Sequence, residues 1–119
     1  MLLIEDHRDI RENTTELLEL AGYRVAALAN GQEGLIALKK SSPDIILCDI
    51  RMPGIDGYEF FREIKSDPVK CAIPFVFVTS SAEKSEVETA LGMGADAYLC
   101  KPYETGELFR TIEELIKNK

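Results

Sequence analysis

Several kinds of residue are scarce in this sequence, and each shortage narrows the range of functions. The 119 residues include three cysteines and one histidine. Cys48, Cys71 and Cys100 show no C-x-x-C spacing, which argues against a thiolate zinc site. Lys and Arg number 14 against 21 Asp and Glu, and the net charge of −7 disfavours attraction to nucleic acid or anionic lipid. We therefore expect no direct nucleic-acid binding.

Long apolar segments are lacking as well. No stretch approaches the roughly 20 apolar residues of a membrane-spanning helix, and no basic segment precedes an apolar one at the N-terminus. We expect a single domain over residues 1–119, cytoplasmic and without membrane contact. We also expect reduced thiols, because Cys48 and Cys100 lie in apolar runs that form strands about 10 Å apart if another strand separates them.

What the sequence does contain is an alternation of strand-like and helix-like segments. The apolar, strand-like segments cover residues 2–4, 23–29, 45–48, 75–78 and 97–100. Helical periodicity covers residues 10–21, 32–40, 58–65 and 83–91, and resumes at about residue 105. Five β-α units predict an α/β fold with a parallel sheet between two helical layers. The favoured arrangement is flavodoxin-like, doubly wound (βα)5, with strand order 2-1-3-4-5.

Asp49 follows the most apolar of these runs, Ile45-Ile46-Leu47-Cys48. Such a run is typical of a central parallel strand, and the carboxyl ends of these strands form the ligand-binding edge of α/β sheets. An Asp after a strand also commonly starts a turn, so the other strand ends decide between the two interpretations. They carry complementary groups: Glu5 and Asp6 on the first strand, Thr79 on the fourth, Lys101 on the fifth. We expect all of them in one crevice.

The chemistry of these side chains favours a metal ion and a phosphoryl group. Two carboxylates about 4 Å apart repel by on the order of 4 kcal/mol at an effective dielectric of about 20, and a cation relieves that repulsion. Oxygen ligands favour a hard divalent ion, Mg²⁺ before Ca²⁺. Lys101 could neutralise phosphoryl oxygens and Thr79 could donate a hydrogen bond to them. Asp49 would then act as a carboxylate nucleophile and become an aspartyl phosphate.

Over essentially the whole chain, these motifs resemble the receiver domain of two-component response regulators of the chemotaxis-regulator type. The resemblance lies in Glu5-Asp6, Asp49 with Met52-Pro53 and Gly57, Thr79-Ser80, and Lys101-Pro102. It implies that Asp49 is the phosphoacceptor and that Lys101 and Thr79 hold phosphoryl oxygens. It also implies a set of Mg²⁺ ligands: Asp6, Asp49, Glu5 through water, and the backbone carbonyl of Arg51. A cis Lys101-Pro102 peptide bond is expected on the same basis.

The resemblance further implies a signalling domain and not an enzyme that turns over an outside substrate. A histidine kinase or phosphotransfer domain would donate the phosphoryl group. Thr79 and Tyr98 would then move and change the surface of helix 4, strand 5 and helix 5, which would contact a downstream effector or a second copy in a homodimer. Arg8, Arg11 and Glu12 on the first helix are candidates for kinase contact or simply a solvated face.

Several positions carry further interpretations. Glu5 stands where the family more often has Asp, which lengthens one arm of the metal site. Imidazole matches a hard-ion site poorly, so His7 is interpreted as a solvated loop residue. Arg51 and Ser81 are candidates for setting the lifetime of the acyl phosphate. Tyr98 has an alternative interpretation as an ordinary strand residue, and Tyr103 as a packing aromatic.

Competing functions are weighed on the same residues. A phosphatase of the haloacid dehalogenase type would need D-x-D, but Arg51 occupies the second acidic position. The GxxxxGK[ST] motif of P-loop NTPases is absent, and Glu5-Asp6 would repel the phosphate of a flavin. The remaining alternative is a receiver fold used as an unphosphorylated protein-interaction module. The sequence leaves open whether the chain is free-standing or a piece of a larger regulator or hybrid kinase.

Overall fold

The computed structural model describes residues 1–79, 84–101 and 103–117. Within these ranges the strands are β1 Leu2–Ile4, β2 Ala26–Leu28, β3 Ile46–Cys48, β4 Phe75–Thr79 and β5 Ala97–Cys100. The α-helices between and after them are α1 Arg8–Leu20, α2 Gly31–Lys40, α3 Gly57–Lys65, α4 Lys84–Gly92 and α5 Thr105–Lys117. Ser80, Ser81 and Pro102 lie outside the described residues, and so does the expected cis peptide bond.

The described strands form one parallel sheet in the order β2-β1-β3-β4-β5, which confirms the predicted flavodoxin-like topology. Ile4 pairs with Cys48 across β1 and β3. The residues that follow them, Glu5 and Asp49, therefore leave neighbouring strands at the same edge. Because β1 has β2 on one side and β3 on the other, this edge contains the switch point of the sheet.

Side chains from the two faces of the sheet form two separate cores. Leu2 and Ile4 belong to one core, which joins the sheet to α2, α3 and α4, whereas Leu3 belongs to the other, which joins it to α1 and α5. The first core is rich in phenylalanine. Ring centroids of Phe61 and Phe75 lie 4.9 Å apart in an edge-to-face arrangement, and those of Phe75 and Phe77 are equally close. Burial on both faces explains why β3 and β4 are continuous apolar runs.

Most element ends agree with the prediction to within one residue, but β2 differs more in extent and α1 differs in burial. Strand β2 covers Ala26–Leu28 and not residues 23–29, although Tyr23 still packs against the second core. On α1, Thr14 and Leu18 are buried one turn apart, while Leu17 is 38% exposed. The buried stripe of α1 is therefore narrower than the periodicity predicts, because only one row of its side chains faces the sheet.

Two expectations from composition concern the cysteines and the membrane. The three cysteines are free thiols, and Cys48 is fully buried. Burial raises the pKa of the Cys48 thiol well above its usual range, which is typical of an unreactive core cysteine. Among the residues that the structure describes, no helix has both the length and the apolar character needed to cross a bilayer.

Candidate functional site

The carboxyl edge of the sheet brings the predicted residues together through backbone hydrogen bonds of the strands. The amide of Asp49 donates to the carbonyl of Ile4 at 3.0 Å, which sets Asp49 beside the end of β1. The amide of Lys101 donates to the carbonyl of Thr79 at 2.7 Å, which sets Lys101 beside the end of β4. Residues far apart in the chain thus meet because their strands are neighbours in the sheet.

Lys101 carries the positive charge that pairs with two carboxylates of this group. Its Nζ donates to Oε1 of Glu5 at 2.5 Å and to Oδ2 of Asp49 at 3.1 Å. Glu5 is 3% exposed and Asp49 6% exposed, so both carboxylates lie inside the protein. Buried carboxylates need a partner of opposite charge, and one ammonium group serves both of them.

The pKa directions reflect burial together with the mutual contacts of these groups. Burial raises the pKa of Glu5, and the hydrogen bond from Lys101 only partly opposes this effect. Burial acts to lower the pKa of Lys101, but its hydrogen bonds and the charges of Glu5 and Asp49 outweigh burial and raise it. Both groups therefore hold a proton more tightly than in water. A second cation near the carboxylates would reduce the proton affinity of Glu5.

Four residues present donor atoms that could hold a metal ion. Donors from Glu5, Asp6, His7 and Asp49 all lie within 4.8 Å of one another. Within the described part of the chain, Oδ1 of Asp6 is buried and accepts no hydrogen bond. A buried carboxylate oxygen without a donor is costly unless a cation faces it. The acidic cluster of Glu5, Asp6 and Asp49 thus fits the oxygen donor set of a hard divalent ion.

Arg11 on α1 holds the backbone of the acidic pair, Glu5 and Asp6, in place. Nη1 of Arg11 donates to the carbonyl of Glu5 at 2.9 Å and lies 3.5 Å from the carbonyl of Asp6. Arg11 is half-buried, so the interpretation of a wholly solvated residue is wrong for this side chain. No sequence motif predicts this contact of Arg11. Arg11 contacts backbone oxygens, and every residue has one whatever its side chain.

The loop after β3 shapes the surroundings of Asp49. Its Oδ1 accepts a hydrogen bond from the amide of Ile50 at 2.7 Å. The amide of Gly57 donates to the carbonyl of Ile50, also at 2.7 Å. A Cβ at position 57 would lie 2.3 Å from the backbone oxygen of Asp49. Glycine is therefore required here by close approach of two backbone segments, which explains the glycine at the start of α3.

The predicted switch residues Thr79 and Tyr98 are in contact. Thr79 is 1% exposed, and its side chain is hydrogen-bonded to that of Tyr98. Burial, followed by the nearby charge of Glu86, raises the pKa of Tyr98 to about 12. Tyr98 is thus held as a neutral phenol beside a buried hydroxyl.

Two side chains make contacts that the sequence analysis did not anticipate. Nη2 of Arg51 pairs with Oε1 of Glu86 at 2.6 Å, which joins the loop after β3 to α4. The hydroxyl of Tyr103 lies 3.1 Å from Oγ1 of Thr14 and is hydrogen-bonded to it. Tyr103 is therefore more than a packing aromatic. No sequence motif identifies Glu86, because single acidic residues are common in polar helices.

Comparison with known families gives a match over most of the chain. A family model described as the response regulator receiver domain matches residues 1–113. The chain is 32% identical over 117 residues to the phosphate regulon transcriptional regulatory protein PhoB of Pseudomonas aeruginosa. It is 34% identical over 116 residues to the response regulator SaeR of Staphylococcus aureus. Each match covers 98% of this chain, but only 51% of PhoB and 50% of SaeR, so the chain spans about half the length of these curated relatives.

Two solved structures have the same fold as this chain, and the similarity covers most of both chains in each comparison. The signal receiver domain of a signal transduction histidine kinase from Syntrophus aciditrophicus is 31% identical, with a TM-score of 0.90, covering 98% of this chain and 89% of that one. The chemotaxis protein CheY4 of Vibrio cholerae is 27% identical, with a TM-score of 0.89, covering 96% of this chain and 95% of that one. The likeness therefore extends through every described element of the sheet.

Proposed function

The chain belongs to the response regulator receiver domain family, and from that membership we propose that Asp49 accepts a phosphoryl group in a Mg²⁺-dependent reaction. The observation that carries the proposal is the position of Lys101, whose Nζ lies 3.1 Å from Oδ2 of Asp49. A carboxylate nucleophile with an adjacent fixed cation suits transfer of a highly charged group. We treat residues 1–119 as a single receiver domain that signals and does not turn over an outside substrate.

The proposed donor is a phosphohistidine on a histidine kinase or phosphotransfer domain. A carboxylate oxygen of Asp49 forms a bond to phosphorus while the phosphorus–nitrogen bond breaks and its electron pair returns to the imidazole. Lys101 supplies positive charge to the phosphoryl oxygens, and Thr79 donates a hydrogen bond to them once it has left Tyr98. Hydrolysis by water later releases phosphate and restores the carboxylate.

The metal site would consist of Asp6 and Asp49, with Glu5 acting through water and the backbone carbonyl of Arg51 as a further ligand. Mg²⁺, when bound, supplies positive charge that neutralises phosphoryl oxygens. The buried Oδ1 of Asp6, which accepts no hydrogen bond from the described residues, supports this donor set. The Lys101 contact would let Glu5 remain ionised beside the other acidic groups.

Signal output would depend on Thr79 and Tyr98. Transfer of a dianionic group to Asp49 would draw the Thr79 hydroxyl from Tyr98 and change the surface formed by α4, β5 and α5. We propose that this surface contacts a downstream effector domain or protein, or a second copy of the chain after phosphorylation. The curated relatives are about twice as long, which leaves room in those proteins for such a domain.

Intact-protein mass after incubation with acetyl phosphate tests the central step. In Mg²⁺ the wild type should gain one phosphoryl group that base and hydroxylamine release, and in EDTA it should gain none, whereas Asp49→Asn should gain none. Asp56→Asn is the matched control, because Asp56 lies in the same loop but its side chain caps α3. Labelling that survives Asp49→Asn would contradict the assignment. No labelling of the wild type would favour the interaction-module alternative.

A further inference from the structure

The position of His7 adds a nitrogen donor to the acidic cluster. Nδ1 of His7 lies 3.4 Å from Oδ1 of Asp6 and 3.5 Å from Oε2 of Glu5. Both oxygens belong to the side chains assigned above to the cation site. The interpretation of His7 as a solvated loop residue is therefore incomplete: the side chain is 69% exposed, but one ring nitrogen lies beside the carboxylates.

The distance between His7 and Asp6 matches that between two ligands of one small metal ion, whereas the 3.5 Å between His7 and Glu5 lies slightly above it. Two donors that each lie about 2.1 Å from a shared ion are roughly 3.0–3.4 Å apart, depending on whether the geometry is octahedral or tetrahedral. The separation of His7 from Asp6 reaches the upper end of that range. Oδ1 of Asp6 also accepts no hydrogen bond from the described residues, in spite of the nearby imidazole, so its lone pairs stay available.

The backbone holds His7 in this position. Its amide donates to Oε2 of Glu5 at 3.2 Å, and its carbonyl accepts from the amide of Arg11 at 2.9 Å in the first turn of α1. Arg11 also binds the carbonyl of Glu5, so the acidic pair and His7 form one short segment anchored at both ends. Anchoring lowers the entropy that the imidazole loses when it binds a metal.

We propose that His7 is a ligand in the cation site and shifts its preference from Mg²⁺ toward first-row transition metals such as Ni²⁺, Co²⁺ or Zn²⁺. Imidazole adds little to the affinity for Mg²⁺, a hard ion that favours oxygen, and much to the affinity for borderline ions. The donor set becomes one nitrogen with carboxylate oxygens from Asp6 and Asp49, with Glu5 acting through water as proposed above. This proposal rests on the cation site of the proposed function.

Calorimetric titration with Ni²⁺ and with Mg²⁺ at one fixed pH tests the proposal on three proteins. His7→Gln should weaken Ni²⁺ binding at least about tenfold while changing Mg²⁺ affinity by less than about twofold. Asp6→Asn should weaken binding of both metals. Equal Ni²⁺ affinity in wild type and His7→Gln would overturn the proposal. Because His7 is the only histidine, its imidazole nitrogen NMR signals are assigned without ambiguity, and coordination of diamagnetic Zn²⁺ should shift the signal of the ligating nitrogen.

The cysteines require a separate check, because thiolates also bind Ni²⁺. Thiolate charge-transfer absorption on Ni²⁺ addition would assign the binding to cysteine and overturn the proposal. The two failures are distinguishable. If Asp6→Asn leaves Mg²⁺ affinity unchanged, the cation site of the proposed function is wrong. If Asp6→Asn weakens Mg²⁺ binding but His7→Gln leaves the Ni²⁺ affinity unchanged, only the further inference is wrong.

Discussion

Arg51 and Glu86 form an ion pair, with Nη2 and Oε1 2.6 Å apart, that connects the loop after Asp49 to the first turn of α4. The Arg51 side chain is 71% exposed, so the pair contributes little to stability by itself. Its importance lies in Glu86, whose charge also acts on Tyr98. One acidic side chain is thus shared between the site loop and the tyrosine expected to switch.

Removal of the Glu86 charge should lower the pKa of Tyr98 from about 12 toward its usual value near 10. Ultraviolet phenolate titration of Glu86→Gln measures the shift, with Tyr98→Phe identifying the contribution of this tyrosine. Glu88→Gln, an exposed substitution on the same helix, is the control and should leave the titration unchanged. A Tyr98 pKa that stays near 12 in Glu86→Gln would show that burial and the other neighbours set it without Glu86.

The same pKa predicts how stability changes at high pH. Because the folded protein holds the Tyr98 proton to about 12 and the unfolded chain only to about 10, the folded state binds more protons between these values. The free energy of unfolding should therefore fall as pH rises from about 10 to about 12. Denaturant unfolding of wild type and Tyr98→Phe across this window should show a smaller loss in the variant.

Replacement of Lys101 by Met should destabilise the metal-free protein by about 3 kcal/mol, because two buried carboxylates lose their shared cation. Asp49→Asn should act in the opposite direction in EDTA, since it removes one of the mutually repelling carboxylates. Urea unfolding measures both effects, and Lys39→Met at an exposed position of α2 is the control. Equal stability of wild type and Lys101→Met would contradict the claim that Lys101 stabilises the two buried carboxylates.

Gly57→Ala should destabilise the protein by at least about 2 kcal/mol, because the new methyl group would overlap the backbone of Asp49 and Ile50. Gly106→Ala is the matched control. Position 106 lies in α5 with no atom within 4 Å of an added Cβ, so stability should be unchanged or rise by up to about 1 kcal/mol. Thermal unfolding distinguishes the two, and equal behaviour of both variants would refute the steric argument.

The hydrogen bond between Thr14 and Tyr103 should contribute about 1 kcal/mol to stability. A double-mutant cycle with Thr14→Val and Tyr103→Phe isolates that energy, because each change removes one hydroxyl and keeps most of the side-chain volume. The double variant should lose less than the sum of the two single losses. Strict additivity would indicate that the two hydroxyls do not interact in solution.

Sequence reasoning predicted the sheet well because its signals were local. The apolar run before Asp49 and the glycines and prolines between elements identify the strands, and right-handed connections then restrict their order. Strand ends in a parallel sheet share an edge, so the convergence of Glu5, Asp49, Thr79 and Lys101 followed from topology alone. The extent of β2 was less predictable, because an edge strand has a partner on only one side.

The contacts made by side chains were less accessible to prediction. Arg11 binds backbone oxygens, and Glu86 meets Arg51 across 35 positions of the chain, so no spacing rule identifies either. The adjacency of His7 to the acidic pair was visible in the sequence. The direction of its ring was not, because it depends on how the chain enters α1.

The hydrogen bond between Lys101 and Glu5 joins residues 96 positions apart. Glu5 follows the first strand and Lys101 the last, and β3 and β4 lie between them in the sheet. During synthesis, Glu5, Asp6 and Asp49 are made long before the lysine that compensates them. Contacts of such long range also close a large loop, which costs more chain entropy than a local contact. A nascent chain would thus carry Asp49 well before it carried Lys101, and only completion of the sheet would bring together the groups of the proposed phosphoacceptor site.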